Sequence, residues 1–338
     1  METTSIATKA KLTSAELGNL WVSFMEDSMA ICVLQYFLQK VEDEEVRPHI
    51  EDALQLSQDH IQKISMMFEQ ENVPIPHGFT KEDVDINAPR LYSDIFFLIY
   101  LYKAAKQGME GYSTFLSTSV RRDVVDYYSK CLSSFNLLHN QVLDTLLSKG
   151  VLVRPPYIPI PEKVDYVHKQ SFLTGWFGQR RPLNSIEIGK LFYNIQRNML
   201  GRGLILGFAQ VAGSKDVRDF MMRGKEIADK HIEVFSSILS ENDIAAPMIW
   251  DGAPTTSTKS PFSDKLMMFH ITTIISMSVV HYGMGIGTSS RHDLGVHYTR
   301  LIAEIVQYLE DGANIMIENK WMEQPPLAPN RDELASNR

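Results

Sequence analysis

LTSAELGNLW, residues 12–21, and LNSIEIGKLF, residues 183–192, are one stretch written twice. Laid over each other at a shift of 171, they return Leu, Ser, Glu, Gly and Leu at matching places. The same shift pairs Phe37 and Gln39 with Phe208 and Gln210, Val46-Arg47 with Val217-Arg218, His60-Ile61 with His231-Ile232, and Pro76 with Pro247. After one deletion a shift of 170 holds to the end. Ser93-Asp94 then meets Ser263-Asp264, and Tyr112 meets Tyr282. TSVRRDVVDYY from Thr118 meets TSSRHDLGVHY from Thr288, and Pro155-Pro156 meets Pro325-Pro326. Chance agreement between helical patterns would not keep Pro, Gly, His and Arg in order, so the chain reads as a duplication.

Each copy carries four helical patterns. The first, about 13–41, opens on Thr13-x-x-Glu16, a capping box that satisfies the orphan amides of a helix start, and Asn184-x-x-Glu187 repeats it. Leu17, Leu20, Phe24, Ile31, Leu34 and Leu38 recur at helical spacing behind it. The others run about 45–72, 90–118 and 121–149, with counterparts at 184–212, 215–242, 261–288 and 290–320. Between the second and third helices lie the 17 residues Val73–Pro89, with three prolines and one glycine. At ~3.3 Å per residue this connection reaches ~55 Å, more than the ~40 Å of a 27-residue helix. It can run the length of a bundle and leave helices two and three parallel. The expected fold is all-α: two tandem ferritin-like four-helix bundles, residues 1–149 and 183–322, with a proline-rich ordered linker at 150–182 and a tail at 323–338.

This topology makes specific demands. Arg47 should meet Asp94, and Arg218 should meet Asp264, at one end of each bundle. Tyr112, Thr118, Arg121, Asp123 and Tyr128 should gather at the other, like their copies Tyr282, Arg291 and Asp293. The linker, rich in prolines at 155, 156, 159 and 161, also holds Tyr157, Ile158, Val164, Tyr166, Val167, Phe172, Leu173, Trp176 and Phe177, so it should lie against the bundles. The tail should fray after about Asp332.

Composition narrows the function. Of 338 residues 33 are basic and 41 acidic, a net charge of −8, which disfavours a sequence-independent hold on nucleic acid or anionic lipid. METTSIATKAKL offers no apolar h-region, so no secretory signal is expected. Cys32 and Cys131 lie in apolar periodic segments and read as reduced, buried residues of a cytoplasmic protein. Leu266–Ser290 has no formally charged side chain and is long enough to span a bilayer. Its copy carries Lys103, Lys106 and Glu110, however, so the stretch reads as a buried third helix or a self-association face, not as a transmembrane segment.

Motifs of chemistry are sparse. Di-metal bundles use Glu-x-x-His, which is absent, and no cofactor is expected. The nearest metal set is Glu26, Asp27, His60 and His139. His60 and His231 share an inward seam in their two copies. In the second copy Arg202 replaces Ile31 among Gly201, Gly203 and Gly207; buried, it would need Glu226 or Glu304. Arg202, His231, His270 and Glu304 form a candidate pocket for a small anionic ligand. There is no Gly-x-Ser-x-Gly, Walker loop, Cys-x-x-Cys or His-Glu-x-x-His.

The chain resembles the bacterial family called domain of unknown function 3231, found in endospore formers. The resemblance rests on Gly207–Val211, Ser260–Met267, Ser290–Leu294 and Trp321–Pro326, and extends over nearly the whole chain. It implies tandem ferritin-like bundles and, since some members carry a spore-coat label, a non-enzymatic structural or interaction protein of sporulation or the coat, with protein partners or self-association. The alternative is a ligand- or metal-binding protein, redox chemistry included, with a polar pocket inside one bundle. The reading leans away from an enzyme.

Overall fold

The computed structural model describes residues 10–175, 180–247 and 254–336. Helices α1 (Ser14–Lys40), α2 (Arg47–Gln70), α3 (Asp94–Ser117) and α4 (Arg122–Ser148) form the first set. Helices α5 (Ser185–Val211), α6 (Lys215–Ser240), α7 (Asp264–Thr288) and α8 (His292–Glu318) form the second, and α9 (Arg331–Ser336) closes the tail. No β-strand occurs among the described residues. Both capping boxes are made: Glu16 N–H donates to Thr13 Oγ1 at 3.2 Å, and Glu187 N–H to Asn184 Oδ1 at 2.9 Å.

Two compact units emerge. One takes in the described residues up to Val84, with Leu101–Thr145 and those from Met322. The other takes in Asp85–Tyr100 and Leu146–Trp321. The units therefore do not follow the repeat boundary. In the second, Tyr92 is wholly buried, and its hydroxyl donates to the Leu204 carbonyl of α5 at 2.8 Å. Gly207 lies beneath that ring, where any side chain would overlap it.

Helix directions follow from the buried carboxylates. In the first unit Glu16, at the start of α1, accepts from the amides of Val120 (2.9 Å) and Arg121 (2.7 Å), at the start of α4. Arg121 also reaches Glu71, just past the end of α2, at 2.6 Å, and Asn19 of α1 donates to Thr118, just past α3, at 3.0 Å. So α1 and α4 run one way, α2 and α3 the other. The long connection crosses the bundle lengthwise, as its reach allows.

The second unit repeats the scheme. Helix α5 packs on α6 and α7, and α8 on those same two. Glu187 accepts from Ser290 and Arg291 at 3.1 and 3.2 Å. At the opposite end Asp264 accepts from the Gly213 and Ser214 amides at 3.0 and 2.7 Å.

Several expectations need correction. Arg218 and Asp264 share an end but not a bond: Arg218 donates to the Ala212 carbonyl at 3.1 Å, while Asp264 is taken up by orphan amides before α6. In the first copy Arg47 donates to the carbonyls of Leu38 and Val41, and Asp94 pairs with Arg90 at 2.6 Å. Tyr112 and Tyr128 reach deeper than the bundle end, Tyr128 meeting Ser23 at 3.4 Å.

The linker does not lie down as expected. Tyr157 is 85% exposed and Val164 81%, and Ile158, Tyr166 and Val167 are exposed too. Its prolines remove backbone donors and favour an extended path, which carries these side chains into solvent. It is pinned on either side of that stretch: before it Gln196 Nε2 donates to the Val153 carbonyl at 3.0 Å, and beyond it half-buried Phe172 stacks under the Arg181 guanidinium at 4.0 Å and Leu173 is half-buried. Trp176 and Phe177 lie outside the described residues. The tail, instead of fraying after Asp332, forms α9 there, with Asn330 Oδ1 accepting from the Asp332 amide at 3.1 Å.

Two helices, α1 and α7, are long and apolar enough to cross a membrane. Each is a core helix of its bundle, with Leu20 and Phe37 of α1 and Leu266 and Ile271 of α7 fully or almost fully buried.

Candidate functional site

The inward polar residues of both copies converge on one histidine each. In the first unit His60, from the middle of α2, sits between Asp27 of α1, Tyr112 of α3 and Cys131 of α4. Its Nδ1 lies 3.2 Å from Asp27 Oδ2 and 3.2 Å from Tyr112 Oη. The Cys131 thiol, itself buried, adds to what favours the protonated imidazole. Tyr112 and Tyr127 meet the ring edge-on, with centroids 5.6 and 5.8 Å away, and Phe135 stacks on it at 5.9 Å. Burial opposes a charge on His60, but the Asp27 carboxylate outweighs it and holds the imidazole pKa up at about 10. The first copy thus buries an imidazolium–carboxylate pair inside a ring of aromatic side chains. Glu26, next to Asp27, has its own pKa pushed up to about 7 by burial and by the Asp27 charge.

The second copy keeps the histidine and the tyrosine but changes the charge. His231 Nδ1 lies 2.9 Å from Tyr282 Oη, and Asn198 Nδ2 donates to that hydroxyl at 2.8 Å. Asn198 stands where the first copy has Asp27, so a carboxylate has become an amide. The carboxylate comes instead from Glu304 of α8, 3.1 Å from His231 Nε2, and Lys230 claims its other oxygen at 2.8 Å. Burial lowers the pKa of His231, outweighing the pull of Glu304. A neutral imidazole satisfies the whole chain of bonds. Asn198 donates to Tyr282, Tyr282 donates to Nδ1, and Nε2–H donates to Glu304. One duplicated His–Tyr device therefore holds a charged ring in one copy and an uncharged ring in the other.

Of the four residues in the anticipated pocket, only His231 and Glu304 meet. Arg202 pairs with Asp229, not with Glu226 or Glu304, because Glu304 is already held by Lys230 and His231. It is also part-exposed, not buried. His270 is apart from them: its Nε2 lies 3.0 Å from Tyr100 Oη, and burial drives its pKa down to about 3. Of the anticipated metal set, Asp27 and His60 meet, while His139 is half-exposed, stacking on Tyr102 and bonding Asn140. Among the described residues no three His, Cys, Asp or Glu side chains form a metal-holding group. Of Gly201 and Gly207, near Arg202, it is Gly207 against which a ring, that of Tyr92, closes tightly.

The ends of the bundles hold the other buried charges. Arg121 forks onto Asp123 at 2.8 and 2.9 Å and reaches Glu71, while Arg291 forks onto Asp293 at 3.0 and 2.5 Å. Burial would raise the pKa of Glu16, but the amides of Thr13, Arg121 and Val120 outweigh it and hold it low. For Glu187 the Arg181 guanidinium does most of the same work, at 2.8 Å from both oxygens. The capping box alone gave no hint that these two glutamates also tie the first helix to the fourth.

Two tandem helical bundles, each closed around a buried histidine–tyrosine pair, define the class of protein. The chain belongs to the family described as protein of unknown function (DUF3231), whose sequence profile matches residues 1–164 and again 171–334, one match per copy. The structure is also similar to the crystal structure of a putative spore coat protein from Bacillus halodurans C-125. There the identity is 19% and the TM-score 0.40, over 44% of this chain and 98% of that one. None of the curated proteins matches the chain.

Proposed function

We propose that the chain is a structural or interaction protein associated with sporulation or the spore coat, and that neither bundle works as an enzyme. The observation carrying this reading is the closure of each inward polar cluster. Asp27, His60 and Cys131 in one copy, and His231 and Tyr282 in the other, are all under a tenth exposed and engaged with neighbours on other helices. Groups so enclosed specify which helix faces meet. The spore association takes its direction from the name of the Bacillus halodurans protein and from the family resemblance, so it needs a test of its own. Antibody detection across purified spore layers should find the chain enriched in the coat or in the spore interior. A chain confined to growing cells would refute the association. Metal analysis of purified protein addresses the alternative: iron, manganese or zinc near one equivalent per bundle would restore a metal-binding role.

A further inference from the structure

We propose that the loop around His77 and Gly78 is a carboxylate-recognition site, and that a second copy of the chain can fill it with its own tail. The amides of His77 and Gly78 each donate to one oxygen of Glu323, at 2.7 and 3.0 Å. Two consecutive backbone donors gripping both oxygens of one carboxylate make a concave anion site. The loop is built to hold that shape from beneath. Gly78 has φ 60°, and a side chain there would run into Ser28. Ser28 accepts from the Phe79 amide at 3.2 Å and donates to the Met25 carbonyl at 2.9 Å. One residue on, the Cys32 thiol donates to the Thr80 carbonyl at 3.3 Å. Helix α1 thus fastens residues 79 and 80 while the two amides before them face the tail.

The tail that supplies Glu323 is an arm, not a layer of the bundle. It begins at Lys320, whose left-handed φ of 59° turns the chain out of α8. Pro325, Pro326 and Pro329 keep it from folding back as a helix, and Met322, Leu327 and Leu334 are exposed along it. Among the described residues, the Glu323 carboxylate is the hydrogen-bonded foothold of residues 322–336 on the rest of the chain. A segment that leaves its helix at a left-handed cap, with one polar foothold and little buried surface, makes the same contacts on another copy as on its own. The cost is a new path for the chain between that cap and Glu323 and the loss of the tether. A short tether gives the self-contact an effective concentration of roughly millimolar, so exchange grows where copies are crowded. Because each chain offers both an arm and a site, exchange links copies reciprocally or in series. Tail exchange stands or falls independently of the spore association.

The test uses full-length protein carrying Glu323→Ala, which vacates the site from a half-buried position on the tail, and a fluorescent peptide spanning residues 319–330. The peptide should bind this variant saturably. A peptide carrying Glu323→Gln, and wild-type protein with its own tail seated, should each reduce binding about tenfold or more, the loss expected for hydrogen bonds to a charged group. Equal binding of the two peptides, or none to the variant, overturns carboxylate recognition. Sedimentation then reads exchange itself: average mass should rise with concentration for wild type and rise less for Glu323→Ala. Identical masses across the concentration range overturn exchange between copies, whatever the peptide does.

Discussion

His60 and His231 occupy one position of a duplicated scaffold, yet their neighbours ask opposite things of them. The folded His60 holds its proton to about pH 10, against 6.5 for the free side chain. Its contribution to stability is therefore complete below about pH 6.5 and fades as pH climbs toward 10. Asp27→Asn should remove that alkaline dependence and cost about 1.5–3 kcal/mol near neutrality, since the imidazole then stays neutral, as His231 does in the copy that carries Asn198, and a hydrogen bond between charged groups is lost. Urea unfolding at pH 7 and pH 9 measures both effects. His270 points the other way. Its folded pKa of about 3 makes its contribution full above 6.5 and lost as pH falls toward 3. His270→Phe should flatten part of the acid limb of the stability curve. The sequence displayed both seam histidines and placed Asp27 within reach. It could not show Cys131 closing on the same ring, because a buried cysteine in a periodic helix leaves no mark beyond its apolarity. It did group Glu304 with His231, but as the lining of a ligand pocket and not as the partner of Nε2, since that carboxylate has no counterpart in the first copy to pair by register.

At the level of elements, glycines in helices divide by what faces them. Gly207 of α5 lies under the Tyr92 ring, so Gly207→Ala should destabilise by about 1–3 kcal/mol through overpacking. Gly283 of α7 faces open space, so Gly283→Ala should stabilise by about 0.5–1 kcal/mol through helix propensity. Thermal melts of the two variants should move in opposite directions. Helix existence, capping boxes and the parallel pairing of second and third helices were all legible, because periodicity, cap chemistry and the length of Val73–Pro89 encode them locally. The partners of Arg47, Arg202 and Arg218 were not. Near a long polar side chain, free backbone carbonyls at helix ends and several carboxylates along neighbouring helices compete on nearly equal terms, and register alone does not choose. The linker misled for a related reason. Its large apolar residues looked like core, but a run of prolines deprives them of the helix that would aim them inward.

In the whole molecule the opposed protonation preferences of the two copies should separate. Calorimetry should show the transition of the first unit weakening between pH 7 and 9. That of the second, with His231 and His270 both held below their ordinary pKa, should weaken between pH 6 and 4. A single transition moving as one body with pH would contradict this. The placement of Tyr92 reaches further. That ring is encoded upstream of the linker, yet it plugs the helix that opens the downstream copy. Severing the gene between the copies would leave the later fragment with an unfilled hole at Gly207 and the earlier one with an orphaned aromatic. The two halves have become mutually dependent, and history cannot be reversed here by a pair of scissors.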